Sequence, residues 1–384
     1  MIRLERVTKI YPGSNVPAVN NVDLNVSEGE ICVLIGSSGC GKTTLMRMMN
    51  RLIPITSGVI RIDGKNIMDM DVIVLRRSVG YAIQQIGLFP HMTVYDNIAT
   101  VPRLLGWEKS RIDKRVDELL DLVNLEPDTF RSRFPKELSG GQAQRIGVAR
   151  AMAADPPVML MDEPFGAIDP INREVLQDEF LKIQSKLKKT IVFVTHDIHE
   201  AVKMGDRIAL LDAGRLIQLG TPEDLLVRPK NQFVKNFVGA DRALKRLDLL
   251  KVKDAMIADP VHCHTKDASQ DVLERMLANE LNYLLVVDAE HMLRGYVKLD
   301  DLRGHNGTAA DVARPMTITV TPERNLKDAL SKMLTYDIGI VVAVDEAGRL
   351  AGMLNTRTLV SVVGETYDEK GGRWGKIAAG GRIL

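Results

Sequence analysis

The stretch ICVLIGSSGCGKTTLMRMMN, residues 31–50, decides the fold of this chain. Its first six residues form an apolar run without alternation, which predicts a β-strand buried on both faces of a parallel sheet. A glycine-rich turn follows at residues 36–43, and a helix is predicted after it. The apolar residues with helical spacing are Leu45, Met48, Met49 and Leu52. Strand, glycine turn and helix in this order open a βαβ unit.

The turn has the spacing G-x-x-x-x-G-K-T, from Gly36 to Thr43. Its glycines allow backbone N–H groups to converge on phosphate oxygens at the N-terminus of a helix. Lys42 is predicted to reach the β- and γ-phosphates and the Thr43 hydroxyl to ligate Mg²⁺, so ATP and Mg²⁺ are the expected ligands. The residues predicted to contact the nucleotide here are Gly36, Ser37, Ser38, Gly39, Cys40, Gly41, Lys42, Thr43 and Thr44.

Polar residues follow two apolar strands further along the chain. The segment VMLMDEP places Asp162 and Glu163 at the end of a predicted buried strand. One carboxylate at such a position can hold Mg²⁺, and a second can polarise the attacking water. We therefore predict Asp162 as a metal ligand and Glu163 as the catalytic carboxylate. His196 follows the strand IVFVT and is a candidate to bridge that carboxylate and the γ-phosphate.

The rest of the first 230 residues alternates between strand and helix patterns, which predicts an α/β fold. Helical spacing predicts helices over residues 108–123 and 140–154. The charge-dense segment at residues 241–254 predicts a connecting helix and a domain boundary. Beyond it, residues 252–303 align without a gap on the chain 57 positions later, for example Gly295 on Gly352. This internal repeat predicts two copies of one α+β unit.

The composition sets limits on the class of protein. Hydrophobic residues make up 45% and charged residues 26% of the 384, as in folded soluble proteins. The net charge of +1 and the aromatic content of 4% argue against a nucleic-acid partner. No window approaches 18 uninterrupted apolar residues, and the charged start is unlike a signal peptide, so the chain is expected in the cytosol.

The segment LSGGQ, residues 138–142, completes a set of motifs that resembles the ATPase domain of ABC transporters. The resemblance spans residues 1 to about 235 and implies a P-loop ATPase with a RecA-like parallel sheet core, an antiparallel β subdomain and a helical signature subdomain. It also implies a homodimer in which the phosphate loop of one subunit and the signature of the other enclose each ATP. Amides at the N-terminus of the signature helix fit this role, because they form a second anion site.

Further site residues are assigned by the resemblance alone. Tyr11 is expected to stack on adenine, Gln84 to contact the metal and the attacking water, and Asp169 to contact the dimer partner. With Glu163 and His196, Gln84 completes the expected catalytic set. The signature residues expected to contact nucleotide are Ser139, Gly140, Gly141 and Gln142.

The 57-residue repeat resembles a pair of CBS modules, which are regulatory units that often bind adenine nucleotides. This chain departs from their usual nucleotide-contacting pattern at Lys298, Asn355 and Thr358, which favours an ionic or protein effector over a nucleotide. An ABC ATPase with a CBS pair is similar to the ATPase subunits of quaternary-amine importers. This resemblance implies a transmembrane permease, an indirectly contacted extracytoplasmic binding protein, and a peripheral position at the cytoplasmic face of the membrane.

We expect five segments: an ATPase domain over 1–238, a linker over 239–251, CBS modules over 252–308 and 309–365, and a glycine-rich tail over 366–384. Two alternative functions stay open at this point. One is an importer for another small solute, and the other is a non-transport ABC ATPase that CBS modules regulate. Proteins of the second kind often have two ABC units or a long coiled coil, whereas this sequence has one unit and no heptad run.

Overall fold

A computed structural model describes residues 1–82, 87–166 and 168–364 of the chain. The chain divides into two compact units, one formed by Met1–Gly239 and a second that starts at Ala240. The strands of the first unit are β1 Ile2–Lys9, β2 Val19–Val26, β3 Ile31–Gly36, β4 Ser57–Ile62, β5 Lys65–Asn66, β6 Val79–Ala82, β7 Val158–Asp162, β8 Thr190–Val194, β9 Arg207–Asp212 and β10 Arg215–Gly220. Its helices are α1 Lys42–Met49, α2 Val72–Ser78, α3 Val94–Leu104, α4 Lys109–Leu122, α5 Pro127–Phe130, α6 Gly140–Met152, α7 Pro170–Leu187, α8 Ile198–Met204, α9 Pro222–Val227 and α10 Gln232–Val238.

The first unit is built on two sheets. Four strands pair antiparallel in the order β2-β1-β4-β5, and six strands form a second sheet in the order β10-β9-β3-β8-β7-β6. In the second sheet all pairs are parallel except β9 with β10. Strand β3 lies at its centre, and all six of its residues are buried, as the uninterrupted apolar run predicts.

The order of the parallel strands assembles the predicted site. Strands β3, β8 and β7 are neighbours, so the residues that follow them meet at one edge of the sheet. The phosphate loop follows β3, His196 lies two residues beyond the end of β8, and Glu163 follows β7 directly. The carboxyl ends of parallel strands are the usual place for a ligand in such sheets.

Helix α1 after the phosphate loop is shorter than its apolar spacing predicts. It ends at Met49, and Leu52 is an exposed residue beyond the helix. The physical reason is local, because Arg51 takes a left-handed backbone conformation with φ of 48°, which a continuing helix excludes.

The second unit contains the two copies of the repeat. Its strands are β11 His262–His264, β12 Tyr283–Val287, β13 Leu293–Lys298, β14 Thr319–Val320, β15 Ile340–Val344 and β16 Leu350–Asn355. Its helices are α11 Arg242–Leu249, α12 Val252–Ala255, α13 Ser269–Ala278, α14 Leu299–Leu302, α15 Ala309–Val312, α16 Leu326–Thr335 and α17 Thr356–Gly364. Each copy forms a three-stranded sheet whose first two strands are parallel and whose last two are antiparallel.

A local twofold axis relates the two copies. The backbone bridge Tyr296–Arg314 has a counterpart, Met353–Ile257, in which each residue is displaced by 57 positions. Met292 bridges to Arg349, which is its own equivalent 57 positions later, so this bridge lies at the axis. The apolar inner faces of both sheets pack together in one core cluster. The duplication in the sequence is therefore a duplication in space.

Candidate nucleotide-binding site

The phosphate loop needs glycine at two positions for reasons within this chain. Gly36 has a φ of 151°, and a Cβ atom there would lie 2.2 Å from the Leu211 carbonyl oxygen. Gly41 has a φ of 104°, and its Cβ would lie 2.4 Å from the Ala18 carbonyl oxygen. Both contacts are far shorter than van der Waals distances, and both φ values are costly for other residues. The loop therefore follows a path that these two glycines permit.

The Lys42 side chain contacts the phosphate loop itself. Its ammonium donates hydrogen bonds to the carbonyl oxygens of Gly36 at 2.8 Å and Ser37 at 3.0 Å. The same nitrogen lies 3.8 Å from the Cys40 Sγ atom. Burial raises the pKa of the Cys40 thiol, although the nearby ammonium opposes the shift. Cys40 is thus a buried, protonated thiol beside the lysine, while Ser37, Ser38 and Gly39 form the exposed crest of the loop.

The predicted metal ligands Thr43 and Asp162 are in contact. The Thr43 hydroxyl donates a hydrogen bond of 3.2 Å to Asp162 Oδ1, although the residues are 119 positions apart in the chain. Asp162 is only 2% exposed, and this burial raises the pKa of its carboxyl. A divalent cation at these two oxygens would favour the ionised carboxylate, so the residues present fit Mg²⁺.

The residues predicted for water activation form a pair. His196 Nδ1 lies 3.1 Å from Glu163 Oε1, and the imidazole is 68% exposed whereas the carboxylate is 20% exposed. Glu163 has an uncommon left-handed φ of 47°, and its amide donates a 2.9 Å hydrogen bond to the Val194 carbonyl. This bond to the end of β8 offsets the backbone strain and directs the carboxylate towards His196.

The tyrosine assigned to adenine stacking lies beside the loop. The Tyr11 hydroxyl is 3.4 Å from the Thr44 hydroxyl, and its ring is partly exposed. The Lys9 ammonium lies 5.2 Å from the ring centroid, within cation–π range. Gln84, in contrast, lies outside the described residues, so its assignment stays a prediction.

The signature segment begins helix α6. The Ser139 hydroxyl accepts a 3.3 Å hydrogen bond from the Gln142 amide, and the Gln142 side chain accepts a 3.0 Å bond from the Ser139 amide. Gly140 and Gly141 follow in the first turn, and a Cβ atom on either would meet nothing within 4 Å. In the described part of the chain, no hydrogen bond or ion pair joins residues 139–142 to the phosphate loop. Asp169 is exposed just before helix α7.

One residue of the site escaped the sequence analysis. Burial raises the pKa of the Asp162 carboxyl, and the positive charge of Arg47 opposes that shift, so Arg47 is a cation beside the predicted metal ligand. The sequence signal for Arg47 is its position four residues after Thr43, because residues at that spacing share one helix face.

Sequence comparisons identify relatives over nearly the whole chain. A family model described as ABC transporter matches residues 19–166, and one described as CBS domain matches residues 252–305 and 309–365. The osmoprotectant import ATP-binding protein OsmV of Salmonella typhimurium is 49% identical over 92% of this chain and 94% of its own length. The glycine betaine/carnitine/choline transport ATP-binding protein OpuCA of Bacillus subtilis is 48% identical over 94% of this chain and 96% of its own length.

Solved structures match more than half of the chain. A dimeric ATP-binding cassette in a post-hydrolysis state with ADP and Pi has a TM-score of 0.53 and 34% identity, over 58% of this chain and 99% of its own. The cassette cbiO1 of Clostridium perfringens, part of an ABC transporter complex, has a TM-score of 0.57 and 25% identity over 65% and 94%. The predicted fold class is confirmed. The chain therefore belongs to the ABC transporter family, as an ATP-hydrolysing cassette that carries a pair of CBS domains.

Proposed function

We propose that this chain powers the import of a quaternary-amine osmoprotectant of the glycine betaine and choline class through a partner permease. The observation that supports its enzymatic part is the Thr43–Asp162 contact beside the Glu163–His196 pair. Both contacts lie at the carboxyl edge of the parallel sheet, where the phosphate loop begins. The cargo is proposed from the names of the relatives, which refer to glycine betaine, carnitine, choline and osmoprotectants.

The site residues have separate proposed tasks in ATP hydrolysis. Loop amides and the Lys42 ammonium bind the phosphates, and Tyr11 supports the adenine ring. Thr43, Asp162 and Gln84 would hold Mg²⁺, which would supply positive charge at the phosphate oxygens. Glu163 accepts a proton from the attacking water, and His196 holds that carboxylate in place.

A homodimer completes the proposed site. Gly140 and Gly141 have helical backbone angles and open space beside their α-carbons, so nothing described in this chain requires glycine at either position. A second molecule that approaches the helix N-terminus closely would require it. The phosphate groups of an ATP held by a partner subunit fit this requirement, with Asp169 at the dimer contact.

The proposed location is peripheral, at the cytoplasmic face of the membrane. No helix in the described ranges is both long and apolar enough to span a bilayer. The permease therefore supplies the membrane path in this proposal, and an extracytoplasmic binding protein delivers the cargo to it. The proposed division of the chain keeps catalysis in residues 1–238 and regulation in the CBS modules at 252–308 and 309–365, with the linker 239–251 between them. The tail 366–384 lies outside the described residues.

Reconstitution tests the proposal. The chain is combined with a permease of the proposed import system, and uptake of labelled glycine betaine, choline, carnitine and proline betaine is measured with ATP and without it. ATP-dependent uptake of at least one of these compounds is expected. Hydrolysis that is stimulated by the permease without uptake of any quaternary amine would contradict the cargo but not the ATPase assignment. Hydrolysis that responds to nucleic acid or ribosomes instead would support a non-transport ATPase.

A further inference from the structure

The two CBS copies enclose a cleft of about 570 Å³ that has no assigned ligand. Strands β12 and β13 of the first copy form one wall, and residues 315–318 and 337–340 form the other. The backbone bridge between Tyr296 and Arg314 draws residues 315–318 against this wall, with hydrogen bonds of 2.9 and 2.8 Å. Gly295 permits this approach, since a Cβ there would lie 2.1 Å from the Arg314 carbonyl oxygen.

Three side chains of the first copy project from one face of its sheet into the cleft. Tyr283 pairs directly with Lys298 across the antiparallel strands, and Tyr296 precedes Lys298 by two residues. Residues that are paired or two apart share a face, so two aromatic rings and one ammonium line the same wall. Both rings are half-buried.

Four polar side chains of the cleft have no partner within the described part of the chain. In the described ranges, the Lys298 ammonium, the hydroxyls of both tyrosines and the Asp337 carboxylate form no hydrogen bond or ion pair within the chain. Charged groups just outside the cleft are paired, as in the bidentate contact of Arg314 with Asp301 at 2.7 and 2.8 Å. A set of unpaired polar groups around an open cleft is the arrangement expected of a ligand site.

The second copy of the repeat provides an internal comparison. The residues 57 positions after Tyr283, Tyr296 and Lys298 are Ile340, Met353 and Asn355. The local twofold axis gives these three the same place in the fold, but they present no aromatic ring and no charge. The backbone therefore does not demand tyrosine or lysine at the positions in the first copy.

We propose that this cleft binds a small zwitterion with a quaternary ammonium group, which makes the imported cargo itself a regulatory ligand of the CBS pair. This inference rests on the proposed function for the identity of the cargo. Tyrosine faces attract quaternary ammonium groups by cation–π interaction, and the exposed Asp300 and Asp337 carboxylates at the cleft add negative charge. Lys298 pairs with the carboxylate at the other end of the zwitterion.

The charge of the cleft favours this ligand over a nucleotide. Lys298 is the one cation among the described residues that line it. Of the two anions, Asp300 is paired with Arg303 at 3.8 Å, whereas Asp337 forms no ion pair in the described ranges. A polyphosphate would meet a single cation and no excess of positive charge, whereas a zwitterion finds a partner for each end. Accumulated cargo in the cytoplasm would then report on the success of import at the subunit that powers it.

Calorimetric titration of the full chain at constant ionic strength tests the proposal. The ligands are glycine betaine, choline and 3,3-dimethylbutanoate, which has the shape of glycine betaine without its positive charge. Glycine betaine is expected to bind at least tenfold more tightly than 3,3-dimethylbutanoate, because the cation–π attraction requires the charge. Absence of heat with glycine betaine, or equal affinity for 3,3-dimethylbutanoate, would overturn the proposal.

The second copy of the repeat supplies the variants. Tyr283→Ile and Tyr296→Met insert the residues of the second copy and should weaken glycine betaine and choline alike, by about 2- to 30-fold for each ring. Lys298→Asn should weaken glycine betaine but not choline, which has no carboxylate. Lys266→Asn removes an exposed cation of the same copy outside the cleft and should change neither affinity. A K298N effect of the same size on both ligands would contradict the assigned orientation.

Nucleotides are the competing outcome. ATP is also expected to bind at the phosphate loop, so the titrations use a Lys42→Ala chain in which that loop is weakened. AMP, ATP and a cyclic dinucleotide then test the cleft separately. Micromolar binding that Tyr296→Met removes would overturn the zwitterion assignment in favour of a nucleotide. Because these titrations do not require the permease, their result is independent of the uptake experiment. Uptake without binding rejects the regulatory ligand alone, and binding without uptake rejects the transport proposal alone.

Discussion

Replacement of Glu163 by glutamine separates nucleotide binding from hydrolysis. The amide has the shape of the carboxylate, and its Oε1 can still accept a hydrogen bond from His196 Nδ1, at the 3.1 Å seen for glutamate. The change in nucleotide affinity should therefore stay within about 0.5–1.5 kcal/mol, the value of one neutral hydrogen bond. The amide cannot take a proton from water, so turnover should fall by about 10²- to 10⁴-fold. At 1.36 kcal/mol for each factor of ten, this loss is about 3–5 kcal/mol of transition-state stabilisation.

Lys42→Ala is the matched comparison, because it removes a group assigned to binding. Its ammonium, which bonds two loop carbonyl oxygens, is predicted to reach the β- and γ-phosphates, and hydrogen bonds to charged groups are worth about 1.5–3 kcal/mol each. Nucleotide affinity should therefore fall at least tenfold. The assay is titration with a fluorescent ATP analogue, together with phosphate release under saturating ATP and Mg²⁺. Equal loss of affinity in Glu163→Gln and Lys42→Ala, or turnover of Glu163→Gln within tenfold of wild type, would refute the assigned roles.

Three further experiments have distinct expected outcomes. Gly140→Ala and Gly141→Ala should leave the melting temperature unchanged or higher. In the Glu163→Gln chain they should reduce ATP-driven dimerisation, measured by light scattering. Unaltered dimerisation would contradict the proposed interface. Asp162→Asn should not lower the melting temperature of the nucleotide-free chain at pH 7, because it replaces a buried carboxylate by a neutral amide. It should, however, abolish the additional rise in melting temperature that Mg²⁺ gives in the presence of ATP. Maleimide should label Cys40 slowly in the native chain and rapidly only in urea, as peptide mass mapping can show, because the thiol is buried and its pKa is raised.

The phosphate loop and its partners were predictable because their signals are local or follow from strand order. The spacing from Gly36 to Thr43 specifies a backbone path, and the apolar run before it specifies a central strand. Asp162 and Glu163 end a second buried strand of the same sheet. Parallel strands bring such ends to one edge, so the sequence contained enough information to bring these residues together without coordinates.

Other features depend on contacts that no spacing encodes. Helix α1 ends at Met49 because Arg51 is left-handed, although the apolar pattern continues to Leu52. The repeat was visible in the sequence, but the cleft arises only where Arg314 bridges to Tyr296 across the local twofold axis. In the sequence, Lys298 was visible only as a departure from a nucleotide-binding pattern. The structure shows that two aromatic rings lie beside it.

Glycines in the phosphate loop and in the signature segment satisfy different requirements, and this difference separates folding from assembly. At Gly36 and Gly41 a side chain would collide with backbone carbonyls of the same chain, at 2.2 and 2.4 Å, so substitution there should lower the free energy of unfolding. At Gly140 and Gly141 a side chain would meet nothing that the structure describes, so substitution should be tolerated by the fold. If all four glycines serve ATP, the second pair must act on a nucleotide that another molecule holds. A stability defect in Gly140→Ala as large as that in Gly41→Ala would remove this argument for a shared site.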